Sequence, residues 1–375
     1  RKEGRNWLFI NQTLQNNNGE VTYYENPDPL FIESSVQYGV DDELIESTGS
    51  TGYGAAWGDY DNDEDMDLYL SNWGKNRLYD NQGNYFINIA EDTSLESDSL
   101  SNGAGWGDFN NDGFLDIWAA NFKRGDDIIM NPNSDGDWDI YSPFFRSATQ
   151  DVVPVDYNND GNLDIFAPGL EMAHGHGPTN DGYKYTSLLY KNINNDSLSI
   201  NLNWASIELE GSMLGFANNG WTEKSNRSAI GARVVLDLGT TNIMREIIGG
   251  KGHGSMDPLR LHFGLGQNST IYNISIKWPS KDPLTNKQKE DVFEGPFEIN
   301  KFYKIVEGIG FVGLKGDFNS DEAWNILDVV NLINYVLSGD INISPEIFWA
   351  VDMDYSNELN ILDVVKLVNF VLNQL

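Results

Sequence analysis

The chain has no cysteine. Disulfides, zinc–thiolate centres and thiol nucleophiles are therefore excluded. Basic residues are scarce: 24 Lys and Arg stand against 57 Asp and Glu, giving a formal net charge of −33 over 375 residues. That balance argues against nucleic acid or an anionic membrane held by a general basic field, and points to cations or basic partner surfaces. No apolar run reaches the roughly 18 residues of a membrane span. No signal peptide is recognisable and the chain opens RKEGRNW, without Met, so it reads as a fragment or processed form. What is present is a chain 40% hydrophobic and 12% aromatic. Cores are within its reach, and its length suits two or three domains.

The most informative feature is a repeat. GAAWGDYDNDEDMDLYL (54–70) is echoed by GAGWGDFNNDGFLDIWA (103–119) and VPVDYNNDGNLDIFA (153–167), placing Asp59, Asp108 and Asp156 at intervals of 49 and 48 residues. A second element travels with it: WLFINQ (7–12), RLYDNQ (77–82), DIIMNPN (127–133) and LLYKNIN (188–194), each a short apolar strand meeting an Asn. A fixed period of this length signals a repeat architecture. Short aromatic strands between Gly/Asn/Asp turns predict antiparallel β-blades. Three units look complete, and residues 1–45 read as the tail of a fourth lacking its acidic hairpin. Since propellers usually close with 4–8 blades, upstream blades are the expectation.

Within each hairpin, oxygen side chains occupy positions 1, 3, 5 and 9. They are Asp59, Asp61, Asp63 and Asp67; Asp108, Asn110, Asp112 and Asp116; and Asp156, Asn158, Asp160 and Asp164. Calcium takes 6–8 oxygens at about 2.3–2.6 Å, and a tight Asp/Asn turn converges them on one point. Position 7 (Asp65, Phe114, Asn162) would offer its backbone carbonyl, so its side chain can vary. Position 6 is Gly113 and Gly161 in two loops but Glu64 in the first, a departure expected to weaken that site. A lone acidic turn is usually only solvated; three copies at one spacing favour calcium. Asn131, Asn133, Asp135 and Asp139 imitate the pattern but occupy the place of an ordinary turn. These residues resemble the FG-GAP/VCBS repeat family, with its D-x-[DN]-x-D-G-x-x-D loop and L-Y-x-N strand, over about residues 1–197. The resemblance implies a calcium-binding β-propeller, and it implies adhesion or ligand binding outside the cell.

From residue 198 to 309 the acidic hairpins stop. Alternating strands appear, as in NWASIELEG (203–211), ARVVLDLG (232–239) and YNISIKWPS (272–280), and predict an antiparallel sandwich-like module. NRSAIGARV (226–234), LRLHFGLGQ (259–267) and KWPS resemble the ASPIC/UnbV module, which commonly follows such repeats. No catalytic constellation emerges from this region. His174 and His176 form an HGH pair without a third ligand at telling spacing, His253 lies in a Gly-rich loop, and His262 reads as a packed, hydrogen-bonded residue.

Residues 310–375 contain a second duplication: DFNSDEAWNILDVVNLINYVL (317–337) matches DMDYSNELNILDVVKLVNFVL (352–372). Oxygen residues fall at positions 1, 3, 5, 9 and 12: Asp317, Asn319, Asp321, Asn325 and Asp328, then Asp352, Asp354, Ser356, Asn360 and Asp363. That spacing belongs to EF-hand-type calcium chemistry, with Asp in place of the last Glu. Position 6 lacks its usual Gly, being Glu322 and Asn357. The pattern resembles a type I dockerin, which implies two calcium-loaded loop–helix segments and a cohesin partner contacted through Ile326, Leu327, Ile361 and Leu362. About five Ca²⁺ would add +10 and bring the formal charge from −33 to about −23. The function expected is a non-enzymatic, extracellular calcium-binding recognition or adhesion protein, with a possible glycan or protein ligand on its propeller. Its dockerin would anchor it to a cohesin-bearing scaffold or cell surface. The alternative is a polysaccharide-degrading enzyme component.

Overall fold

In the computed structural model, the described residues are 8–11, 31–41, 51–91, 93, 95, 98–121, 126–132, 138–142, 149–169, 187–193, 202–212, 225–251, 254–281, 287–321, 323–338, 343–356 and 358–374. His174, His176, His253, Glu322 and Asn357 lie outside them, as do residues 133–137.

The repeat region folds as antiparallel meanders. Strands β1 (Phe9–Asn11) and β2 (Phe31–Glu33) pair beside a short helix α1 (Ser35–Tyr38). The first full blade is β3 (Thr51–Gly58), β4 (Asp67–Lys75), β5 (Arg77–Asn81) and β6 (Phe86–Asn88). The second is β7 (Asp98–Gly107), β8 (Asp116–Asn121), β9 (Asp127–Met130) and β10 (Asp139–Tyr141). A third contributes β11 (Val153–Val155), β12 (Asp164–Ala167) and β13 (Leu188–Tyr190). The outer end of β4 pairs with the start of β7, so the first two blades form one hydrogen-bonded sheet.

Blades stack because their second strands are apolar on both faces. On β8, Ile117 and Ala119 pack with Tyr69 and Leu78 of the first blade, whereas Trp118 and Ala120 pack with Val152 and Ile165 of the third. On β4, Leu68 and Leu70 face Val40 beyond α1. A period-two strand buried on both sides reads as a continuous apolar run, which is what LDIWAA and DLYL are. The inner strands approach so closely that a Cβ on Gly54 would lie 2.6 Å from the Asn102 carbonyl.

Strands β14 (Asn203–Glu210), β15 (Arg233–Asp237), β16 (Asn242–Glu246), β17 (Leu261–Gly266), β18 (Ile271–Lys281), β19 (Gln288–Phe297), β20 (Lys301–Val306) and β21 (Gly310–Phe311) build two four-stranded sheets, β17-β14-β20-β21 and β16-β15-β18-β19. Their facing sides enclose Ile207, Leu209, Val234, Leu236, Phe263, Ile274, Ile276 and Trp278. The expectation of a purely antiparallel module is corrected at one place, where β14 and β20 pair in parallel. The chain between them visits the second sheet twice, with β17 of the first sheet in between, supplying the long connection that a parallel pair needs. The sheet also runs to Phe311, past the expected boundary at residue 309.

Three helices close the chain: α2 (Ile326–Ser338), α3 (Pro345–Val351) and α4 (Ile361–Gln374). Ser344 caps α3 by accepting the Ile347 N–H at 3.4 Å, with Pro at the first helical position. Val329, Leu332, Trp349, Val364 and Leu367 form their core, and Val306 of β20 joins it. Among the described residues, no helix is long and apolar enough to cross a membrane.

Candidate metal centres and the cap that covers them

Five acidic turns share one geometry. In each, the N–H of the position 5 residue lies between the oxygens of positions 1 and 3. Asp63 N donates to Asp59 Oδ1 (3.1 Å) and Asp61 Oδ1 (3.3 Å), and Asp112 N to Asp108 Oδ1 (3.0 Å) and Asn110 Oδ1 (2.9 Å). Asp160 N does the same to Asp156 and Asn158 at 3.1 Å each, and Asp321 N to Asp317 and Asn319 at 3.2 Å each. Ser356 N reaches Asp352 (3.1 Å) and Asp354 (3.0 Å). The arc closes because position 4 is left-handed throughout: φ is 62° at Asn62, 61° at Asn111, 57° at Asn159 and Ser320, and 58° at Tyr355. Asn tolerates that region well, Tyr poorly.

The carboxylates converge accordingly. Oxygens of Asp59, Asp61 and Asp63 lie within 4.8 Å of one another, as do those of Asp317, Asp321 and Asp328 and those of Asp352, Asp354 and Asp363. In the second and third turns Asn110 and Asn158 replace the middle carboxylate and donate to Asp112 Oδ2 and Asp160 Oδ2, each at 2.8 Å. Burial pushes the Asp59 carboxyl up to about 7, and Asp61 and Asp63 beside it push the same way while Arg245 opposes. Burial likewise raises Asp67 to about 8 and Asp108 to about 7. Asp164 Oδ2 is buried without a donor. Such a donor set fits a hard cation such as calcium, which would take the place of the missing protons.

Position 9 has a further role. Asp67 accepts the Tyr60 N–H (3.2 Å) and the Asn81 N–H (2.9 Å), and Asp116 accepts those of Phe109 and Asn131, both at 2.9 Å. Asp164 accepts the Asn192 N–H at 2.7 Å. The amide of the same Asn returns to the carbonyl before the aspartate: Met66, Leu115 and Leu163. Asn131 and Asn192 also donate to Tyr60 O and Phe109 O of the preceding blade, at 2.8 Å each. The Asn in the repeated strand is thus a tie between turn, strand and neighbour. Asn131 shares these ties with Asn192, and the turn that follows it, residues 133–137, lies outside the described residues.

The C-terminal pair ends differently. Asn325 Oδ1 accepts the Leu327 N–H (2.7 Å) while Asp328 Oδ2 accepts the Asn325 N–H (2.9 Å), and Asn360 and Asp363 repeat this at 2.8 and 2.9 Å. These are reciprocal capping boxes, so the last two residues of the twelve-residue pattern also start a helix. Beside them the duplicated apolar pairs stand in solvent: Ile326 is 65% exposed, Leu327 55%, Ile361 61% and Leu362 57%.

The middle module covers the blade turns, a relation that no sequence spacing announces. Arg245, on β16, is buried between the first two turns; it donates to Gly113 O at 3.3 Å and to Met244 O at 2.7 Å. Burial pulls its pKa down, and Asp108, Asp59, Asp112 and Asp116 hold the charge in place. His262 Nε2 meets Asn111 Oδ1 at 2.7 Å; since the Asn111 amide donates to Gly161 O, the imidazole is the donor. Burial and then Arg245 lower its pKa to about 3, so it is neutral. Gly266 N donates to Asn111 O (2.8 Å), Arg260 to Asn159 (2.7 Å) and Asn242 to Glu64 (2.9 Å). Position 6 is where the cap touches: a Cβ on Gly161 (φ 85°) would lie 2.0 Å from Trp204 Nε1. Glu64 takes the same left-handed backbone at φ 71° and turns its side chain to the cap. Its departure from Gly is a docking contact, which gives it a structural reason beyond the weakened metal turn expected.

Comparison with known families agrees with this division. Residues 59–119 and 108–167 each match the FG-GAP-like repeat, and residues 222–310 match the ASPIC and UnbV domain. A search of curated proteins finds no match. The chain therefore contains FG-GAP-like repeats followed by an ASPIC/UnbV domain, with a loop–helix module beyond them.

Proposed function

We propose that this is an extracellular, calcium-ordered recognition or adhesion protein without catalysis, attached through its C-terminal module to a cohesin-bearing scaffold or cell surface. The observation that supports it best is the shared arc: five turns, in two unrelated folds, aim the oxygens of positions 1 and 3 at one N–H. Sites of micromolar to millimolar affinity fill outside the cell and stay empty in the cytosol. Asp59, Asp108 and Asp156 with their partners would hold one ion per blade turn; Asp317, Asp321 and Asp328, and Asp352, Asp354 and Asp363, would hold one each. The exposed Ile–Leu pairs on α2 and α4 suit an apolar partner surface, and their duplication would let a cohesin bind in either orientation.

Calorimetric titration of the metal-free chain with calcium tests the reading. About five sites are expected, with a large drop in melting temperature on chelation; no heat and unchanged melting would overturn it. Attachment is tested by capture on a panel of cohesins. Leu327→Asp combined with Leu362→Asp should abolish capture while leaving the helices folded. Polysaccharide turnover that disappears on replacing one carboxylate or His would make the chain an enzyme component instead.

A further inference from the structure

A cleft of about 440 Å³ opens where the three modules meet. Its floor is the outer face of the β17-β14-β20 sheet. Along β14 the residues alternate: Ala205, Ile207 and Leu209 enter the sandwich core, while Ser206, Glu208 and Glu210 are left on the other side. One wall is the third blade turn around Asp156, and the other is Tyr355 of the last acidic turn. The volume lies in the range of roughly 300–1,000 Å³ typical of ligand sites, which concentrate at domain junctions.

In a chain with so few bases, three reach this cleft: Arg227, Arg260 and Lys304. Two of them are answered by protein. Lys304 Nζ lies 2.8 Å from Glu208 and 3.3 Å from Glu210, and Arg227 lies 3.5 Å from Glu210 with its guanidinium 4.0 Å over the Tyr355 ring. Arg260 is not answered. Its Nη1 donates to Asn159 at 2.7 Å and the group stands 5.0 Å over Phe302, but its Nε and Nη2 meet no acceptor among the described residues. The remaining carboxylate, Asp156, belongs to an acidic turn whose charge a bound cation would offset.

We propose that this cleft binds an acidic sugar, its carboxylate on Arg260 and its hydroxyls on the Glu208–Lys304–Glu210 row. A guanidinium fork matches a carboxylate in two parallel hydrogen bonds. Alternating lysine and glutamate offer a donor beside an acceptor, which suits hydroxyls that need both. Three charges of one sign would repel so mixed a floor; a molecule with one carboxylate and several hydroxyls matches it. The proposal rests on the recognition reading above and gives it a site and a ligand class.

The test is calorimetry of the full chain at one fixed calcium concentration, using short oligosaccharides that carry a single galacturonate or glucuronate residue. Neutral galactose and glucose oligosaccharides of matching length are the counterpart. The uronates should bind, and the neutral sugars about tenfold more weakly or not at all. Arg260→Gln keeps a donor for Asn159 and should lower uronate affinity about tenfold with melting temperature and calcium stoichiometry unchanged. No binding of either uronate, equal binding of neutral sugars, or wild-type affinity in Arg260→Gln overturns the proposal. Calcium stoichiometry is measured independently, so failure here is distinguishable from failure of the calcium reading.

Discussion

The turns of residues 59–164 and those of residues 317–363 bend the chain in the same way and then release it into opposite structures. In the blades, the closing aspartate lies on a strand and is tied to an Asn fourteen to twenty-eight residues on. In the C-terminal module it lies three residues further along, in the first turn of a helix, and caps it. What decides the exit is the sequence just after the arc. LYL and IWAA alternate for two buried faces, whereas ILDVVNLINYVL repeats at helical spacing. The surroundings differ as well. The blade turns are covered by a folded domain that brings Arg245, whereas the C-terminal turns open beside apolar residues in solvent. An acidic turn is therefore a portable part whose dependence on metal should follow from what else holds it.

The largest effect should come from chelation. Each site filled at a hundredfold above Kd stabilises folding by about 2.7 kcal/mol, and a core as small as that of α2, α3 and α4 has little else to hold it. Hydrogen exchange after calcium removal should show 326–338 and 361–374 losing protection while the sandwich core of residues 203–306 keeps it. Equal loss in both would mean that the sandwich depends on metal as much as the helical module does. Next in size is Asn131→Ala, which removes ties to Tyr60 O and Leu115 O and should cost about 2–3 kcal/mol in denaturant unfolding. Asn81→Ala, whose side chain donates to Met66 O and otherwise accepts only the exposed Gly83 N–H among the described residues, should cost about half as much.

A pH series separates the two sources of charge balance. Asp59, Asp67 and Asp108 have folded-state pKa values of about 7, 8 and 7, above the unfolded value of 3.8. The metal-free fold then binds more protons than the unfolded chain between those limits. Its stability is fullest below about 4 and falls as pH rises through about 7–8. Calcium displaces those protons, so the stabilisation it adds should grow over the same interval. Melting curves with and without calcium should therefore diverge toward pH 8, and parallel curves would count against metal in the blade turns. The smallest effect is expected for Glu64→Gly. It relieves a left-handed Glu but gives up the bond to Asn242, for a net change within about 1 kcal/mol.

Local features were readable in the residues. The period of the blades, the oxygen spacing and the duplicated helices are all encoded within short windows, where Asp, Asn and Gly have few roles to choose from. Ile326, Leu327, Ile361 and Leu362 were singled out by the resemblance to dockerin contact positions, and all four are exposed. What escaped is non-local. Nothing near Arg245 or Trp204 announces that they reach across 132 and 43 residues to Gly113 and Gly161. The parallel pairing of β14 with β20 depends on how the sandwich closes. The Asn at the end of each repeated strand was visible as a signature, but its use as a tie needed the neighbouring blade in place.

The amides at position 4 have one more consequence. Asn62 donates to Gly113 O and Asn111 to Gly161 O, so each of the first two blade turns hands a hydrogen bond to the turn after it. At the third, the Oδ1 of Asn159 receives one from Arg260 of the cap. The row thus has a direction and a terminator. A duplicated blade inserted before the third could join the relay without new chemistry, whereas one added after it would have to displace the cap.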